Sequence, residues 1–182
     1  MTILLLAAVL SIIAVKYVEP AVDQLRTRRF WRASPDLESL LGSQASPLDV
    51  IRMPGDTSRI HFDGPLPTVL LFFSPSCRYC VELKPGWEWL ADNTGTLTTI
   101  VGVNTEPQLR RPDDARTRFL SSRIAEWHVL RPADVSRKWQ IRGVPGTIVV
   151  DGNGVIRFAR YGVLGERELE RLARLIAVSG ER

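Results

Sequence analysis

The feature that most constrains the fold is an uncharged run of β-prone residues, Thr68–Phe73, that leads within four residues to a cysteine. A continuous apolar run of this length is typical of a central strand that is buried on both faces of a sheet. A helix is predicted at about residues 78–93, so Cys77 falls where a strand ends and a helix begins. This order predicts an α/β domain with Cys77 at a helix N-terminus.

The rest of the chain alternates strands and helices before it closes with a hairpin and a last helix. Strands are predicted at 59–62, 97–103, 128–130, 147–150 and 155–159, and helices at 113–127, 133–139 and 166–178. The sequence Asp-Gly-Asn-Gly at 151–154 is a strong hairpin signal. We therefore expect a mixed central sheet with helices on both faces.

The N-terminal segment predicts a membrane anchor. Residues 2–15 carry no charge, and extension to Val18 gives about 17 residues or roughly 26 Å of helix, the lower limit for a span. A cleaved signal peptide and a buried core helix are the alternatives. No basic residue precedes the apolar run and no clean small-x-small cleavage site follows it, which favours an uncleaved anchor. The predicted organisation is an anchor at 1–18, a linker or amphipathic helix at 19–45, and a globular domain at 46–182.

The charge of the chain excludes a nucleic-acid partner. The formal net charge is +4, but the 24 basic residues are interspersed with 20 acidic ones. A nucleic-acid binder is expected to show a basic stripe with interleaved aromatic residues. The short basic segment at 26–32 is better explained by its position after the anchor.

The two cysteines, Cys77 and Cys80, limit the possible chemistry. One pair cannot staple a disulfide scaffold, and it cannot close a four-ligand zinc site. We therefore expect neither a metal nor another cofactor. The amide N–H groups of the helix start and the charge of Arg78 both favour a thiolate at Cys77. Cys80 lies one helical turn on, within reach of a mixed disulfide on Cys77.

The cysteine segment and a later proline resemble a known family. Residues 72–80 (Phe-Phe-Ser-Pro-Ser-Cys-Arg-Tyr-Cys), with Pro85 five positions on, resemble the active-site segment of thioredoxin-fold proteins. Residues 139–147 (Trp-Gln-Ile-Arg-Gly-Val-Pro-Gly-Thr) resemble the cis-proline loop of that family. The resemblance implies that Pro145 is cis and faces the cysteines, and that the backbone of Val144 pairs with an extended substrate. It also implies that Pro85 kinks the helix and that Arg78 and Tyr79 shape the substrate surface.

The resemblance extends to one branch of the family. The segment 104–139 adds a helix and a strand between the halves of the sheet, and together with the anchor this is similar to TlpA-like proteins and to MauD-type accessory proteins. It implies a membrane-anchored thiol-disulfide oxidoreductase that acts on protein thiols and disulfides. The implied partners are apocytochrome c or a metalloenzyme under maturation. The implied location is the cytoplasmic membrane with the domain in the periplasm, although bases after the anchor favour the cytoplasm.

Two departures from the family pattern leave the proton-relay carboxylate unassigned. The position of the buried acid of thioredoxins holds Leu71, and the acid of some TlpA-like reductants is replaced by Leu83, with Glu82 one position early. The alternatives to thiol-disulfide exchange are a peroxiredoxin-like thiol peroxidase and a redox-inert binding module. A peroxidase is expected to have a proline where Leu70 stands, although Ser74 matches its hydroxyl.

Overall fold

The computed structural model describes residues 37–52, 56–106, 119–130 and 132–179. The predicted anchor at 1–18 and the greater part of the linker predicted at 19–45 lie outside these residues. Across the described ranges, no helix combines the length and the apolar character that a membrane span needs.

The described part of the chain forms a mixed sheet of seven strands. They are β1 (Leu48–Arg52), β2 (Asp56–Ile60), β3 (Thr68–Phe73), β4 (Thr99–Asn104), β5 (Ala125–Val129), β6 (Gly146–Val150) and β7 (Ile156–Tyr161). Their order across the sheet is β2-β1-β5-β4-β3-β6-β7. The β3–β4 and β4–β5 pairs are parallel and the other neighbouring pairs are antiparallel. The predicted mixed sheet is confirmed.

Helices cover both faces of this sheet. They are α1 (Arg78–Thr94), α2 (Pro132–Lys138) and α3 (Glu166–Ser179), with short 3₁₀ helices at Leu37–Leu40 and Gly95–Leu97. α1 and α3 pack on one face, and α2 and the first 3₁₀ helix pack on the other. Each face therefore has its own hydrophobic core, as expected for a layered α/β domain.

Strand β3 contributes to both cores, which explains its continuous apolar sequence. All of its residues are buried. Leu70 and Phe72 point to the α2 face, whereas Leu71 and Phe73 point to the face covered by α1 and α3. A polar residue at any of these positions would lose its hydration without a partner, so the central strand tolerates only apolar side chains.

The packed domain begins before the predicted boundary at residue 46. Leu37 and Leu40 are 2% and 8% exposed and belong to the core on the α2 face. The Gly42 N–H donates to the Ile156 carbonyl at 2.9 Å. Residues 37–45 are therefore part of the domain, and this portion of the predicted linker is assigned to it.

The first hairpin differs from the prediction. No strand is predicted before residue 59, but Leu48–Arg52 forms strand β1, in which Leu48 and Val50 are buried and the intervening Asp49 pairs with Arg59 at 2.6 Å. This alternation is the signature of a half-buried strand. The strand predicted at 59–62 is instead β2, Asp56–Ile60, and His61 lies beyond it and is exposed.

The helix predicted at 113–127 is wrong in its described part, since residues 119–124 form turns and Ala125–Val129 is strand β5. Residues 107–118 lie outside the described residues. The apolar spacing resembled one helical face, but Ile124 packs on the α1 face of the sheet and Trp127 on the α2 face. The Glu126 carboxylate accepts the N–H groups of Phe119 and Leu120 at 3.0 Å, which fixes the turn.

The predicted hairpin between β6 and β7 is confirmed, and a buried carboxylate holds its turn. The side chain of Asp151 accepts hydrogen bonds from the N–H groups of Asn153 and Val155 at 2.9 Å and from Arg157 Nε at 2.6 Å. Burial by itself raises the pKa of this carboxylate, but the hydrogen bonds it accepts lower the pKa overall. Gly154 has a φ of +78°, a left-handed conformation that glycine adopts without strain.

Replacement of Asp151 by alanine is expected to lower the free energy of unfolding by about 1–3 kcal/mol, because two turn N–H groups lose their acceptor. Asp151→Asn keeps one side-chain oxygen and is expected to cost less. Because the folded-state pKa of Asp151 is depressed, its stabilisation is present above the unfolded-state pKa and is lost as the pH falls. Urea unfolding at several pH values measures both effects, and an alanine variant as stable as the wild type would contradict the assignment.

Candidate active site

Cys77 lies at the N-terminus of α1, four residues beyond the end of β3. It is the N-cap residue, with φ −82° and ψ 115°. Its N–H donates to the Ser74 carbonyl at 3.1 Å, and its own carbonyl accepts the N–H groups of Cys80 and Val81 at 3.0 and 3.1 Å. The side chain is partly exposed. A partner's sulfur therefore has access to Cys77 at the positive end of the helix dipole.

Cys80 differs from Cys77 because it is fully buried. Both cysteines are free thiols in this structure, and Cys80 is 0% exposed. Burial is the main reason that the pKa of Cys80 is raised to about 12. The hydrogen bond with Cys77 and the negative charge of Glu106 also raise it, and the N–H of Ser74 acts in the opposite direction. Cys80 therefore stays protonated at neutral pH.

The proline loop (residues 141–145) faces the cysteines. The Val144–Pro145 peptide bond is cis, as the family resemblance implies. The Cys77 Sγ lies 3.5 Å from the Val144 carbonyl oxygen. Pro145 is buried, and the partly buried Val144 packs against both cores. The structure thus brings Cys77, Cys80, Val144 and Pro145 together.

Tyr161 of β7 fixes the start of the proline loop. Its hydroxyl donates to the Gln140 carbonyl at 2.5 Å and accepts the Arg142 N–H at 2.8 Å. Gln140 has a φ of +54°, an uncommon conformation for a residue other than glycine, and these bonds hold it there. Burial raises the pKa of Tyr161, so the hydroxyl keeps the proton that it donates. At the other end of the loop, the Gly162 N–H donates to the Pro145 carbonyl at 2.9 Å.

Glu106 is a site residue that the sequence patterns do not single out, and it lies beside the cysteine turn. Its carboxylate accepts hydrogen bonds from the Ser74 and Ser76 hydroxyls, and from the Ser76 N–H at 3.3 Å. Glu106 follows β4, which is parallel to β3, so the carboxyl ends of both strands meet at one edge of the sheet. The sequence feature that could have indicated Glu106 is an acidic residue two positions after β4, a strand that is parallel to β3.

Glu106 is an ionised clamp on residues 74–76. The hydrogen bonds from Ser74 and then Ser76 lower its pKa, and the nearby His128 adds to this effect. A carboxyl group with a lowered pKa does not store a proton at neutral pH. Its structural contribution is to order the turn that leads into Cys77, and its electrostatic contribution is to disfavour a second negative charge at Cys80.

The other predicted site residues, Arg78, Tyr79 and Pro85, lie on α1. The Arg78 guanidinium lies 5.3 Å from the centre of the Tyr79 ring, a cation–π distance. Pro85 is exposed in the middle of α1, about 12 Å along the helix axis from Cys77. Glu82 is exposed on the same helix. Pro85 and Glu82 therefore both lie on the exposed side of α1.

The two tryptophans of α1 lie in different environments. Trp87 is fully buried and its Nε1 donates to the Thr147 hydroxyl at 3.2 Å, which ties α1 to β6. Trp89 is 40% exposed on the outer side of α1. Trp87 is thus a core residue, and Trp89 belongs to the helix surface.

A family model for a thioredoxin-like domain matches residues 60–177, which is more than half of the chain. No curated protein matches the chain. Among solved structures, a thiol:disulfide interchange protein from Bacteroides sp. superposes with a TM-score of 0.59 at 20% identity, covering 75% of this chain and 90% of that chain. The thioredoxin domain of a thiol-disulfide oxidoreductase from Bacteroides vulgatus gives 0.55 at 20% identity, with 75% and 97% covered.

A third similar structure is the exposed lipoprotein thioredoxin of Streptococcus pneumoniae. It has a TM-score of 0.58 at 13% identity, covering 71% of this chain and 99% of that chain. At these identities the similarity establishes the fold.

Glu106→Gln is expected to lower the pKa of Cys80 from its value of about 12, because it removes a negative charge that opposes the thiolate. The measurement is an NMR titration of the cysteine Cβ resonances. Glu82→Gln removes the same charge from an exposed position on α1 and serves as the control. A Cys80 pKa that is unchanged in Glu106→Gln, or changed equally in both variants, would show that the two groups are not coupled.

Proposed function

The chain belongs to the thioredoxin-like domain family, and from this premise we propose that it is a thiol-disulfide oxidoreductase that exchanges electrons with the cysteines of other proteins through Cys77 and Cys80. The proposal rests mainly on one observation: an accessible thiol and a buried thiol lie one turn apart at a helix start, opposite the Val144 carbonyl. Because Cys77 is accessible and Cys80 is buried, Cys77 attacks the partner's disulfide and Cys80 then resolves the mixed disulfide.

In the reducing direction, the Cys77 thiolate attacks one sulfur of a partner's disulfide. A mixed disulfide forms between Cys77 and that sulfur, and the second partner sulfur leaves as a thiolate that takes up a proton. Cys80 then loses its proton and attacks Cys77, which releases the first partner sulfur as a thiol. The partner gains two electrons and two protons, and the protein is left with a Cys77–Cys80 disulfide.

The high pKa of Cys80 assigns it to the second step. A thiol with a pKa of about 12 does not compete with Cys77 for the partner's disulfide at neutral pH. Once Cys77 is bonded to the partner, Cys80 is the neighbouring nucleophile one turn away. In the oxidising direction, a partner's thiolate attacks the Cys77–Cys80 disulfide and the same steps run in reverse.

We also propose that the protein is a TlpA-like oxidoreductase that is anchored to the cytoplasmic membrane by residues 1–18, with its domain in the periplasm. The uncharged segment at 2–15 supports the anchor. Strand β5 supports the TlpA-like interpretation, because the segment 104–139 contributes it and it lies between β1 and β4 in the sheet. The proposed partners are extracytoplasmic proteins under maturation, such as apocytochrome c or a metalloenzyme of the kind that MauD-type proteins assist.

Cys80→Ala is expected to trap the covalent complex with the partner, because the mixed disulfide on Cys77 is no longer resolved. The variant is expressed in the native host, lysates are quenched with acid, and disulfide-linked species are identified by mass spectrometry. Cys77→Ala is the matched control and is expected to trap nothing. The exchange proposal fails if no partner is captured while Cys77 in the Cys80→Ala variant still reacts with an alkylating agent.

The orientation is tested by fusing alkaline phosphatase to the C-terminus, because this reporter is active only where its disulfides form. We expect an active fusion on the full-length chain and an inactive one when residues 2–18 are deleted. An inactive fusion on the full-length chain would place the domain in the cytoplasm, as the positive-inside rule suggests. That outcome would contradict the location and leave the thiol chemistry standing.

A further inference from the structure

Two neighbouring residues at the end of β7 hold both ends of the proline loop. At its start, the Tyr161 hydroxyl donates to the Gln140 carbonyl at 2.5 Å and accepts the Arg142 N–H at 2.8 Å. At its end, the Gly162 N–H donates to the Pro145 carbonyl at 2.9 Å. Tyr161 is the last residue of β7, so the loop is tied to the point where that strand leaves the sheet. We call Gln140, Arg142 and Tyr161 the tyrosine clamp.

The tyrosine clamp acts against a backbone preference. Among the described residues, Gln140 is the one that combines a positive φ, +54°, with a Cβ atom. In this left-handed conformation the Cβ of an L-residue lies too close to the following carbonyl oxygen. The Tyr161 hydroxyl holds the carbonyl of Gln140, and the Ser39 hydroxyl holds its side-chain Oε1 at 3.1 Å. A strained conformation that the surrounding structure enforces is typical of functional sites.

The position of the Val144 carbonyl depends on the tyrosine clamp. Val144 lies two residues after Arg142 and directly before Pro145, and both of these are bonded to the end of β7. The Val144 carbonyl oxygen lies 3.5 Å from the Cys77 Sγ. A change of φ at Gln140 would rotate the chain that follows it and move this carbonyl away from the sulfur. Tyr161 therefore acts on the cysteine site through the loop.

Building on the proposed function, we infer that Tyr161 is a positioning residue for exchange with protein disulfides, because its hydroxyl keeps Gln140 left-handed and thereby keeps the proline loop beside Cys77. The family resemblance implies that a polypeptide partner pairs with the backbone of Val144. A displaced loop would therefore slow the reaction of a polypeptide disulfide. A small disulfide that has no peptide groups needs only the Cys77 sulfur, so its reaction does not depend on the clamp.

The experiment compares two disulfides as oxidants of the reduced full chain. One is the symmetric dimer of a short peptide with a single cysteine in a glycine-serine background, and the other is bis(2-hydroxyethyl) disulfide. Second-order rate constants are measured by acid quenching and mass spectrometry. The ratio of the peptide rate constant to the small-disulfide rate constant is divided by the same ratio for free glutathione, which removes the intrinsic reactivity of each disulfide. We expect this normalised ratio to exceed one in the wild type.

Tyr161→Phe removes the hydroxyl and keeps the ring. It is expected to lower the normalised ratio about fivefold, the effect of the hydrogen bonds that one hydroxyl makes. The rate constant with the small disulfide is expected to stay close to that of the wild type, which shows that Cys77 remains folded and reactive.

Replacement of Gln140 in the Tyr161→Phe background tests whether the clamp acts through backbone strain. Glycine adopts a positive φ without steric cost, so adding Gln140→Gly is expected to bring the normalised ratio back to within about twofold of the wild type. Adding Gln140→Ala instead is the matched control. It removes the same side chain, including the contact with Ser39, but keeps the Cβ, so the ratio is expected to stay low.

Thr98→Val controls for a general loss of stability. The Thr98 hydroxyl is buried and donates to the Pro67 carbonyl at 2.8 Å. Thr98 directly precedes β4, at the end of the sheet opposite to Cys77, which follows the carboxyl end of the parallel strand β3. This variant loses a hydroxyl-to-carbonyl bond of the same kind away from the loop, and its normalised ratio is expected to equal that of the wild type.

An unchanged normalised ratio in Tyr161→Phe, or an equal fall in Thr98→Val, would overturn the inference and leave the exchange activity standing. So would a ratio that Gln140→Gly does not restore, or that Gln140→Ala restores equally well. A wild-type ratio of one would also overturn it, because the loop would then give a polypeptide no advantage. If wild-type Cys77 reacts with neither disulfide, the proposed function fails and this inference fails with it.

Discussion

The burial of strand β3 on both faces is the constraint from which the rest of the site follows. Its side chains alternate between two cores, so a slip of one residue would move every side chain to the wrong face. The register is thereby fixed, and with it the point where the chain leaves the sheet. Cys77 lies four residues beyond that point, so its position depends on the packing of a strand that takes no part in the chemistry.

Two segments meet at this edge of the sheet, and each is held by a different neighbour. The turn before Cys77 is bonded to Glu106, which follows the parallel strand β4. The proline loop precedes the antiparallel strand β6 and is tied to Tyr161 of β7. The two thiols differ because the first lies at the helix surface and the second lies in the core beneath it. Burial, and not the type of residue, makes their reactivities unequal.

The sequence predicts an element correctly where a short stretch of residues by itself favours one secondary structure. Strand β3, the helix after it and the hairpin at 151–154 were predicted because their sequences permit few other structures. The helix predicted at 113–127 is wrong over residues 119–127, because apolar residues from two faces of a sheet produced a helical spacing by coincidence, as the separate positions of Ile124 and Trp127 show. Strand β1 was missed because its alternation is short and lies between turn residues, and its pairing with β2 and β5 decides its structure.

The sequence by itself determined the central strand, the helix start with its two cysteines and the proline that resembles a cis-proline loop, because each depends on residues that are close together in the chain. Tertiary structure alone decided that Glu106 clamps the cysteine turn, that Tyr161 holds the proline loop, and that the Cys77 Sγ lies against the Val144 carbonyl. These contacts join residues that are 19 to 67 positions apart. No local pattern encodes such contacts, because they exist only once the sheet has brought its strand ends together.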